Sequence, residues 1–171
     1  NIDISNVGWL NEETYKTASL ANNNIRTLGV ALSPCILPEA GKPTFKIADD
    51  EIEIGMGIHG EPGIKREKLR PADELIDDLC KRILDDFKLK ANDKVSILIN
   101  SLGATPLEEL YIISKCVNEH LSKLKIDILK SYVGRYATSM EMAGMSISIF
   151  KLDNSLEKYL LTPSECPFWI K

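Results

Sequence analysis

The chain has 171 residues, of which 44% are hydrophobic and 27% charged, and its formal net charge is −4. This size and composition suit one globular domain, and the mixing of acidic with basic residues argues against a nucleic-acid surface, which needs clustered Lys and Arg. No apolar run approaches the roughly 20 residues that cross a bilayer, and we see no signal peptide, so we expect a cytoplasmic protein without a membrane segment.

The first predicted elements are a helix and a short strand. Asn11 is a residue type that caps helices, and the helix it begins is expected to run to about Arg26. Its apolar side holds Tyr15, Ala18, Ala21 and Ile25. The apolar run over residues 28–34 predicts a buried strand that Pro34 ends. The proline-rich segment 35–50 predicts a loop.

The segment EIEIGMGIH, residues 51–59, alternates as a strand does. Four apolar side chains are predicted on one face, namely Ile52, Ile54, Met56 and Ile58. His59 then shares the other face with Gly55 and Gly57. Because glycine weakens a strand, two glycines beside a histidine indicate open space where a ligand or another backbone can approach.

The remaining elements alternate between helices and strands. Helices are predicted at 72–87, from a capping box at Thr105–Glu108 to about Leu124, and at 154–161, and strands at 94–100, 126–133 and 146–152. We therefore predict that residues 1–171 form a single α/β layered domain, with a mixed β-sheet flanked by helices.

The cysteines and histidines do not suggest a metal site. The four cysteines form no CxxC pair. Cys80 and Cys116 fall on apolar helix faces, which favours buried, reduced thiols. His59 and His120 are far apart in sequence and lack a cluster with ligand spacing, and His120 lies at the edge of a helix stripe, where a structural role is expected.

His59 is the first candidate for chemistry. Gly60 and Gly63 permit unusual backbone angles, and Pro62 stiffens the turn between them. A histidine without a function would not require such a rigid, glycine-rich loop. The alternative is that His59 is an exposed loop residue without a function. No Gly-x-Ser-x-Gly elbow accompanies it. The residues leave His59 as a nucleophile, a general base or a hydrogen-bonding group.

Two further segments are candidates. NSLGATP, residues 100–106, joins a predicted central strand to a helix N-terminus, where free backbone N–H groups bind anions in other proteins. A well-capped loop without a ligand explains the same residues. GRYATSMEMAG, residues 134–144, predicts a loop or a broken helix, and its small polar residues fit a structural or a functional role equally.

Four motifs together resemble a known family. They are GVALSPC (29–35), GIHGEPG (57–63), SLGATPLEELYI (101–112) and TSMEMAGMSISIFKLD (138–153). In this order they resemble the dihydroxyacetone-binding subunit of dihydroxyacetone kinases. The resemblance covers only the second half of that subunit. The family's N-terminal domain, with its glycine- and histidine-rich loop and substrate-binding aspartate, is absent from this chain.

The resemblance implies a role for His59. In the family, the matching histidine attacks the C2 carbonyl of dihydroxyacetone through its far ring nitrogen and holds the ketone as a covalent hemiaminal. By the same resemblance, Gly57 and Gly60 are expected to bind substrate beside it. The captured ketone then receives a phosphoryl group on its terminal hydroxyl, so the resemblance implies a kinase subunit.

The resemblance also implies partners. In the multi-subunit type, a separate helical subunit holds the nucleotide, which is rephosphorylated from the phosphoenolpyruvate phosphotransferase system. We therefore expect no cofactor in this chain, a nucleotide-binding helical partner and a homodimer. The fragment alone is expected to be inactive, since the N-terminal half is missing.

Two departures from the family and two other functions qualify this expectation. Ser101 stands where the family usually has Gly, and Arg135 where it usually has Asn, and both changes bear on how the phosphoryl-donor subunit docks. Some relatives keep the histidine yet act as ligand-sensing coactivators of transcription regulators. A binding or assembly domain without an active histidine is the third alternative.

Overall fold

The computed structural model describes residues 12–58, 61–166 and 169–170. The helices are α1 (Glu12–Asn23), α2 (Ala72–Asp86), α3 (Leu107–Lys123) and α4 (Asn154–Leu161). The strands are β1 (Ile25–Ala31), β2 (Glu51–Ile54), β3 (Lys65–Lys68), β4 (Lys94–Ser101), β5 (Asp127–Gly134), β6 (Gly144–Leu152), β7 (Glu165–Cys166) and β8 (Trp169–Ile170). The last two form a small hairpin of their own.

The main sheet has six strands in the order β3-β2-β1-β6-β4-β5. β4 and β5 are parallel and α3 connects them, because parallel neighbours need a crossover rather than a tight turn. The other neighbouring strands are antiparallel. The prediction of an α/β domain with a mixed sheet is therefore confirmed.

The hydrophobic core lies between one face of this sheet and the helices α2 and α3. The sequence predicts an apolar stripe on α2, and six of its members are buried, namely Leu75, Ile76, Leu79, Cys80, Ile83 and Phe87. Leu84, the seventh member, is only partly buried. Apart from Phe87, the buried members share one core cluster with alternate residues of the central strands, among them Ile97, Ile99, Ile147 and Ile149. Because residues two apart in a strand share a face, the residues between them point to the opposite side of the sheet.

Two thiols are buried in this helical layer, as predicted. Cys80 and Cys116 are both free and buried. Burial, followed by the nearby Asp77 carboxylate, raises the pKa of Cys80 to about 12. Burial also raises the pKa of Cys116 to about 11, helped by its hydrogen bond to Asp73, where the Sγ to Oδ1 distance is 3.1 Å. Both groups are protonated at neutral pH and are therefore poor nucleophiles.

The first helix is shorter than predicted. It ends at Asn23 instead of Arg26, and the next strand already begins at Ile25, which is exposed. Three consecutive asparagines close the helix weakly, whereas Ile25 pairs with Phe150 in the β1–β6 ladder. Residues 25 and 26, predicted as the end of the helix, therefore belong to strand β1. No residue of α1 is buried.

The strand predicted over residues 51–59 is also shorter. It ends at Ile54, because Gly55 adopts a φ of +82° that turns the chain out of the sheet. Met56 is buried in a separate small cluster and Ile58 is exposed, so the prediction that they continue the face of Ile52 and Ile54 is wrong. The edge strand β3 was not predicted. Its sequence, KREK, has no apolar residue.

The predicted capping box does not form. α3 begins at Leu107, and no side-chain hydrogen bond caps it. The Thr105 hydroxyl instead donates to the Gly144 carbonyl oxygen at 2.7 Å and accepts from the Gly144 N–H at 2.8 Å. This pair of bonds joins the loop after β4 to the first residue of β6, and tertiary contacts here prevail over the local motif.

We predict that Gly144→Ala strongly destabilises the protein. Gly144 has a φ of +149°, and an added Cβ would collide with the Val30 carbonyl oxygen and lie 3.0 Å from Ala31 Cα. Strain and collision with backbone together are expected to lower the free energy of unfolding by about 3 kcal/mol or more. The urea midpoint measures this effect.

Gly41→Ala is the matched control for that experiment. Gly41 also has a positive φ, +61°, but an added Cβ would meet nothing within 4 Å. We expect a loss of only about 1 kcal/mol, since only the left-handed conformation is penalised. Equal losses at the two positions would show that the close contact between β6 and β1 is unimportant.

Candidate functional site

The three segments that the sequence marks as candidates meet at one groove. The groove lies on the sheet face opposite α2 and α3 and has a volume of about 430 Å³. Gly55, Gly57 and Ile58 line one side of it. Asn100 and Leu102, from the second segment, and Ala137, from the third, line the other side. Segments far apart in sequence thus form one concave surface.

The floor of the groove is polar and its side chains are small. Thr27 of β1 lies opposite Ser148 of β6, and their hydroxyl oxygens are 2.7 Å apart. In the next row, Ser146 lies between Gly29 of β1 and Asn100 of β4. An antiparallel sheet can bury one face in the core and leave the other polar, and each hydroxyl here keeps acceptor capacity for a polar ligand.

Asn100 fixes the 134–144 segment over the floor. Its side chain is 2% exposed. Its Oδ1 accepts the N–H groups of Tyr136 at 2.8 Å and Ala137 at 2.9 Å, and its Nδ2 donates to the Ala137 carbonyl oxygen at 2.7 Å. The same Nδ2 donates to the Ser146 hydroxyl at 3.3 Å. This one side chain therefore connects the third candidate segment to the groove floor.

The segment around His59 leaves the sheet between two hydrogen-bonded positions. The Gly55 N–H donates to the Gly29 carbonyl oxygen at 2.7 Å, and the Gly57 N–H donates to the Glu61 carbonyl oxygen at 3.3 Å. The Glu61 carboxylate lies against Gly57, where a Cβ would collide with it. His59 and Gly60 lie outside the described residues, so their predicted roles stay predictions.

Donors of the 100–106 loop are paired with protein acceptors, some within the loop and some in the segment that leads into β6. The Ser101 hydroxyl donates to the Thr105 carbonyl oxygen at 2.8 Å and accepts from the Gly103 N–H at 3.1 Å. The Ala104 N–H donates to the Met142 carbonyl oxygen at 3.0 Å. Two backbone N–H groups are thus already paired, which counts against the anion site that this loop suggests.

The two departures from the family pattern differ in exposure. Ser101 is fully buried and its hydroxyl closes the loop it belongs to. Arg135 is exposed and lines a shallow surface together with Pro106 and Leu107 at the start of α3. A change at Ser101 therefore acts on the shape of the loop, whereas Arg135 offers a positive charge to whatever approaches this surface.

The second histidine lies away from the groove. His120 Nδ1 is 2.8 Å from Asp77 Oδ1, a contact that links α3 to α2 on the helical side of the sheet. This agrees with the structural role expected for it.

Within the described ranges, no three Asp, Glu, His or Cys side chains cluster as metal ligands. Among those same residues, no helix is both long enough and apolar enough to cross a bilayer.

The polar floor was not recognised from the sequence. The signal for it is the alternation in MSISIF, residues 145–150, where Ser146 and Ser148 fall between buried apolar residues. A central strand with alternating polar side chains has one face that is not part of the hydrophobic core. Thr27 gives no comparable signal, because its position opposite Ser148 depends on the register of β1 with β6.

Comparison with known proteins assigns the family. The Dak1 domain matches residues 8–168, which is most of the chain. The chain belongs to the Dak1 domain family. Over 131 residues this Dak1 domain is 51% identical to a protein of Listeria innocua named PTS-dependent dihydroxyacetone kinase 1, dihydroxyacetone-binding subunit DhaK. The match covers 77% of this chain and 40% of that protein, so this Dak1 domain spans less than half of that relative's length.

Solved structures place the same fold in two kinds of protein. The dihydroxyacetone kinase operon co-activator DhaQ superposes with a TM-score of 0.81 at 33% identity, over 89% of the Dak1 domain and 47% of the co-activator. The dihydroxyacetone kinase of C. freundii superposes with a TM-score of 0.79 at 29% identity, over 96% of the Dak1 domain and 30% of the kinase. The same fold thus occurs in a protein described as a kinase and in one described as a co-activator.

We predict that Asn100→Ala loosens the 134–144 segment. The change removes the acceptor of two backbone N–H groups and the donor to a carbonyl oxygen, which we expect to lower the free energy of unfolding by about 2–4 kcal/mol. Limited proteolysis followed by mass spectrometry should then find new cleavage within residues 134–144.

Ser146→Ala is the control for this variant. It removes only the 3.3 Å bond from Asn100 and leaves the three bonds to residues 136 and 137 in place. We expect a loss below about 1 kcal/mol and no new cleavage. Equal proteolysis of both variants would mean that Asn100 does not hold the segment.

Proposed function

We propose that this Dak1 domain is the dihydroxyacetone-binding part of a phosphoenolpyruvate-dependent dihydroxyacetone kinase, and that His59 captures the ketone as a hemiaminal. The polar groove is the observation that carries the proposal. It ends at Gly57 and Ile58, immediately before His59 in sequence. The 51% identity to a dihydroxyacetone-binding subunit supports the same substrate.

The proposed capture is an addition without a leaving group. The far ring nitrogen of neutral His59 donates its lone pair to C2 of the ketone, and the carbonyl π electrons move to the oxygen. The near ring nitrogen loses its proton, and the oxygen gains one, so that a hydroxyl replaces the carbonyl. An ordinary histidine has a pKa of about 6.5 and is mostly neutral at pH 7, which suits a nucleophile.

Covalent capture gives a selectivity that shape alone does not. Glycerol and dihydroxyacetone both have three carbons, and a pocket separates such similar molecules poorly by size. Only the ketone has an electrophilic carbon for the imidazole. The hydroxyls of Thr27, Ser146 and Ser148 offer donors and acceptors to the ketone's own hydroxyl groups, which would then be held for phosphoryl transfer.

The proposed partners follow from the family. A helical subunit with bound nucleotide would deliver the phosphoryl group, and the phosphoenolpyruvate phosphotransferase system would restore it. We also propose a homodimer. The exposed Arg135, beside the N-terminus of α3, is the position in this chain where the charge of a docking subunit would matter.

A ligand-sensing co-activator is the second candidate function. The structural likeness to DhaQ, with its TM-score of 0.81, favours it. Both functions use the same capture of the ketone, and they differ only in whether a phosphoryl group is transferred afterwards. We prefer the kinase, because the more similar relative in sequence carries that name.

We predict that dihydroxyacetone adds to the full-length subunit carrying this sequence with no loss of water. His59→Ala should abolish the adduct, since the nucleophile is removed. His120→Ala should retain it, because that residue contacts Asp77 away from the groove. Intact-mass spectrometry measures both. An adduct that survives in His59→Ala would assign the capture to another residue.

Turnover separates the kinase from the co-activator. Mixed with a nucleotide-loaded helical subunit, the full-length wild type should form dihydroxyacetone phosphate, which a coupled assay detects. The 171-residue chain alone is expected to show no turnover. An intact His59 adduct without turnover would contradict the kinase and favour the co-activator.

The departures from the family pattern offer a matched variant for the same assay. Ser101→Gly combined with Arg135→Asn restores the residues that the family usually has. If these two positions weaken the docking of the helical subunit, the double variant should lower the KM for that subunit and leave ketone capture unchanged. An unchanged KM would show that neither position affects docking.

A further inference from the structure

Glu53 differs from the other charged residues of the hairpin that β2 and β3 form. The hairpin holds the His59 segment between its two strands. The other charged residues of the two strands are more exposed to solvent, whereas Glu53 is only 8% exposed. Charged side chains are rarely buried unless they are paired, so each contact of this carboxylate needs a reason.

The two carboxylate oxygens of Glu53 have different partners. Oε2 accepts from Arg66, at 2.6 Å from Nη2 and 3.2 Å from Nε. Glu53 and Arg66 lie opposite each other in the β2–β3 ladder, so this contact is an ordinary cross-strand ion pair. Oε1 accepts from the Gly63 N–H at 2.9 Å. The second contact leaves the ladder and reaches the end of the His59 segment.

Gly63 is bound by this side chain instead of by the opposite strand. The Ile64 N–H donates to the Ile54 carbonyl oxygen at 2.8 Å, and the chain departs from β2 immediately before it. A Cβ on Gly63 would lie 2.6 Å from both Glu53 Cγ and the Ile54 carbonyl oxygen. A glycine at this position thus allows the backbone to approach the glutamate closely.

Electrostatics keep the carboxylate charged. Burial raises the pKa of Glu53, but the hydrogen bonds from Arg66 and from the Gly63 N–H outweigh it, and the pKa is lowered overall. The Gly63 bond is therefore charge-assisted at neutral pH, which makes it stronger than a bond between neutral groups. On the other side of the segment, Gly55 is held to Gly29 by the 2.7 Å backbone bond.

We propose that Glu53 is a positioning residue for the loop that carries His59: it holds the downstream end of that loop at Gly63, while Gly55 holds the upstream end. The reaction it serves rests on the proposed function. A merely structural ion pair would need only the contact with Arg66. The bond to Gly63 is what the positioning role requires in addition.

The test compares Glu53→Ala with Glu53→Gln. The alanine removes both contacts, whereas the glutamine loses the charge but keeps an oxygen for the Gly63 N–H. Asp50→Asn is the control, because it weakens an exposed ion pair of the same hairpin, with Lys68 Nζ at 2.8 Å, away from the loop. All variants are made in the full-length subunit.

Amide hydrogen exchange at Gly63 and the concentration of dihydroxyacetone that half-saturates adduct formation are the measurements. We expect Glu53→Ala to speed exchange at Gly63 at least about tenfold and to raise the half-saturating concentration by a similar factor. Glu53→Gln should recover a large part of both effects, and Asp50→Asn should change neither. Equal effects of the alanine and glutamine variants would mean that only the lost ion pair with Arg66 matters and that the bond to Gly63 does not. That result would overturn the proposal.

The experiment also separates this proposal from the proposed function. If the wild type captures no dihydroxyacetone, the capture chemistry is wrong, and the NMR signals of the His59 ring then report on positioning. They should shift in Glu53→Ala and stay in place in Asp50→Asn.

If Glu53→Ala does not fold, Glu53→Gln and Gly63→Ala replace it, since the latter displaces the same contact from the other side. Unchanged Gly63 exchange and unchanged His59 signals would refute positioning.

Discussion

The structure depends on the pairing of β6 with two neighbours at once. β6 forms antiparallel ladders with β1 along one side and with β4 along the other, so a shift of its register by one residue would exchange its two faces. In the observed register, Ile147 and Ile149 enter the core under α2 and α3, and Ser146 and Ser148 enter the groove. The bonds between Thr105 and Gly144 fix where this strand begins.

The segments above the groove are held by hydrogen bonds in addition to the apolar packing of Met56 and Met142. Asn100 binds the 134–144 segment through three backbone groups, and Glu53 binds the end of the His59 segment through one. Apolar contacts tolerate small shifts, whereas hydrogen bonds weaken steeply as their geometry departs from linear. This kind of support suits the proposed capture chemistry, which depends on the direction of a single imidazole.

The sequence predicts the fold class because the periodicities are strong. The stripe of α2 and the apolar run of β4 have the spacing of a core helix and a covered strand, and both are confirmed. β3 was missed because KREK carries no apolar signal, and the extent of β2 because the positive φ of Gly55 cannot be read from its neighbours. The groove depends on contacts between distant segments, which local patterns do not encode. His59 stands out from its glycines alone, and its role remains a prediction.

The division of the sheet into two chemically different faces has a consequence for how this domain can diverge. Residues that stabilise the fold lie under α2 and α3, while Thr27, Ser146 and Ser148 lie on the opposite face and contribute little apolar burial. Substitutions at these three positions are therefore expected to change the polarity of the groove at small expense to stability, unlike substitutions at Asn100. Natural variation can change the polarity of this face while the helical side stays unchanged, so the groove and the core are free to evolve separately.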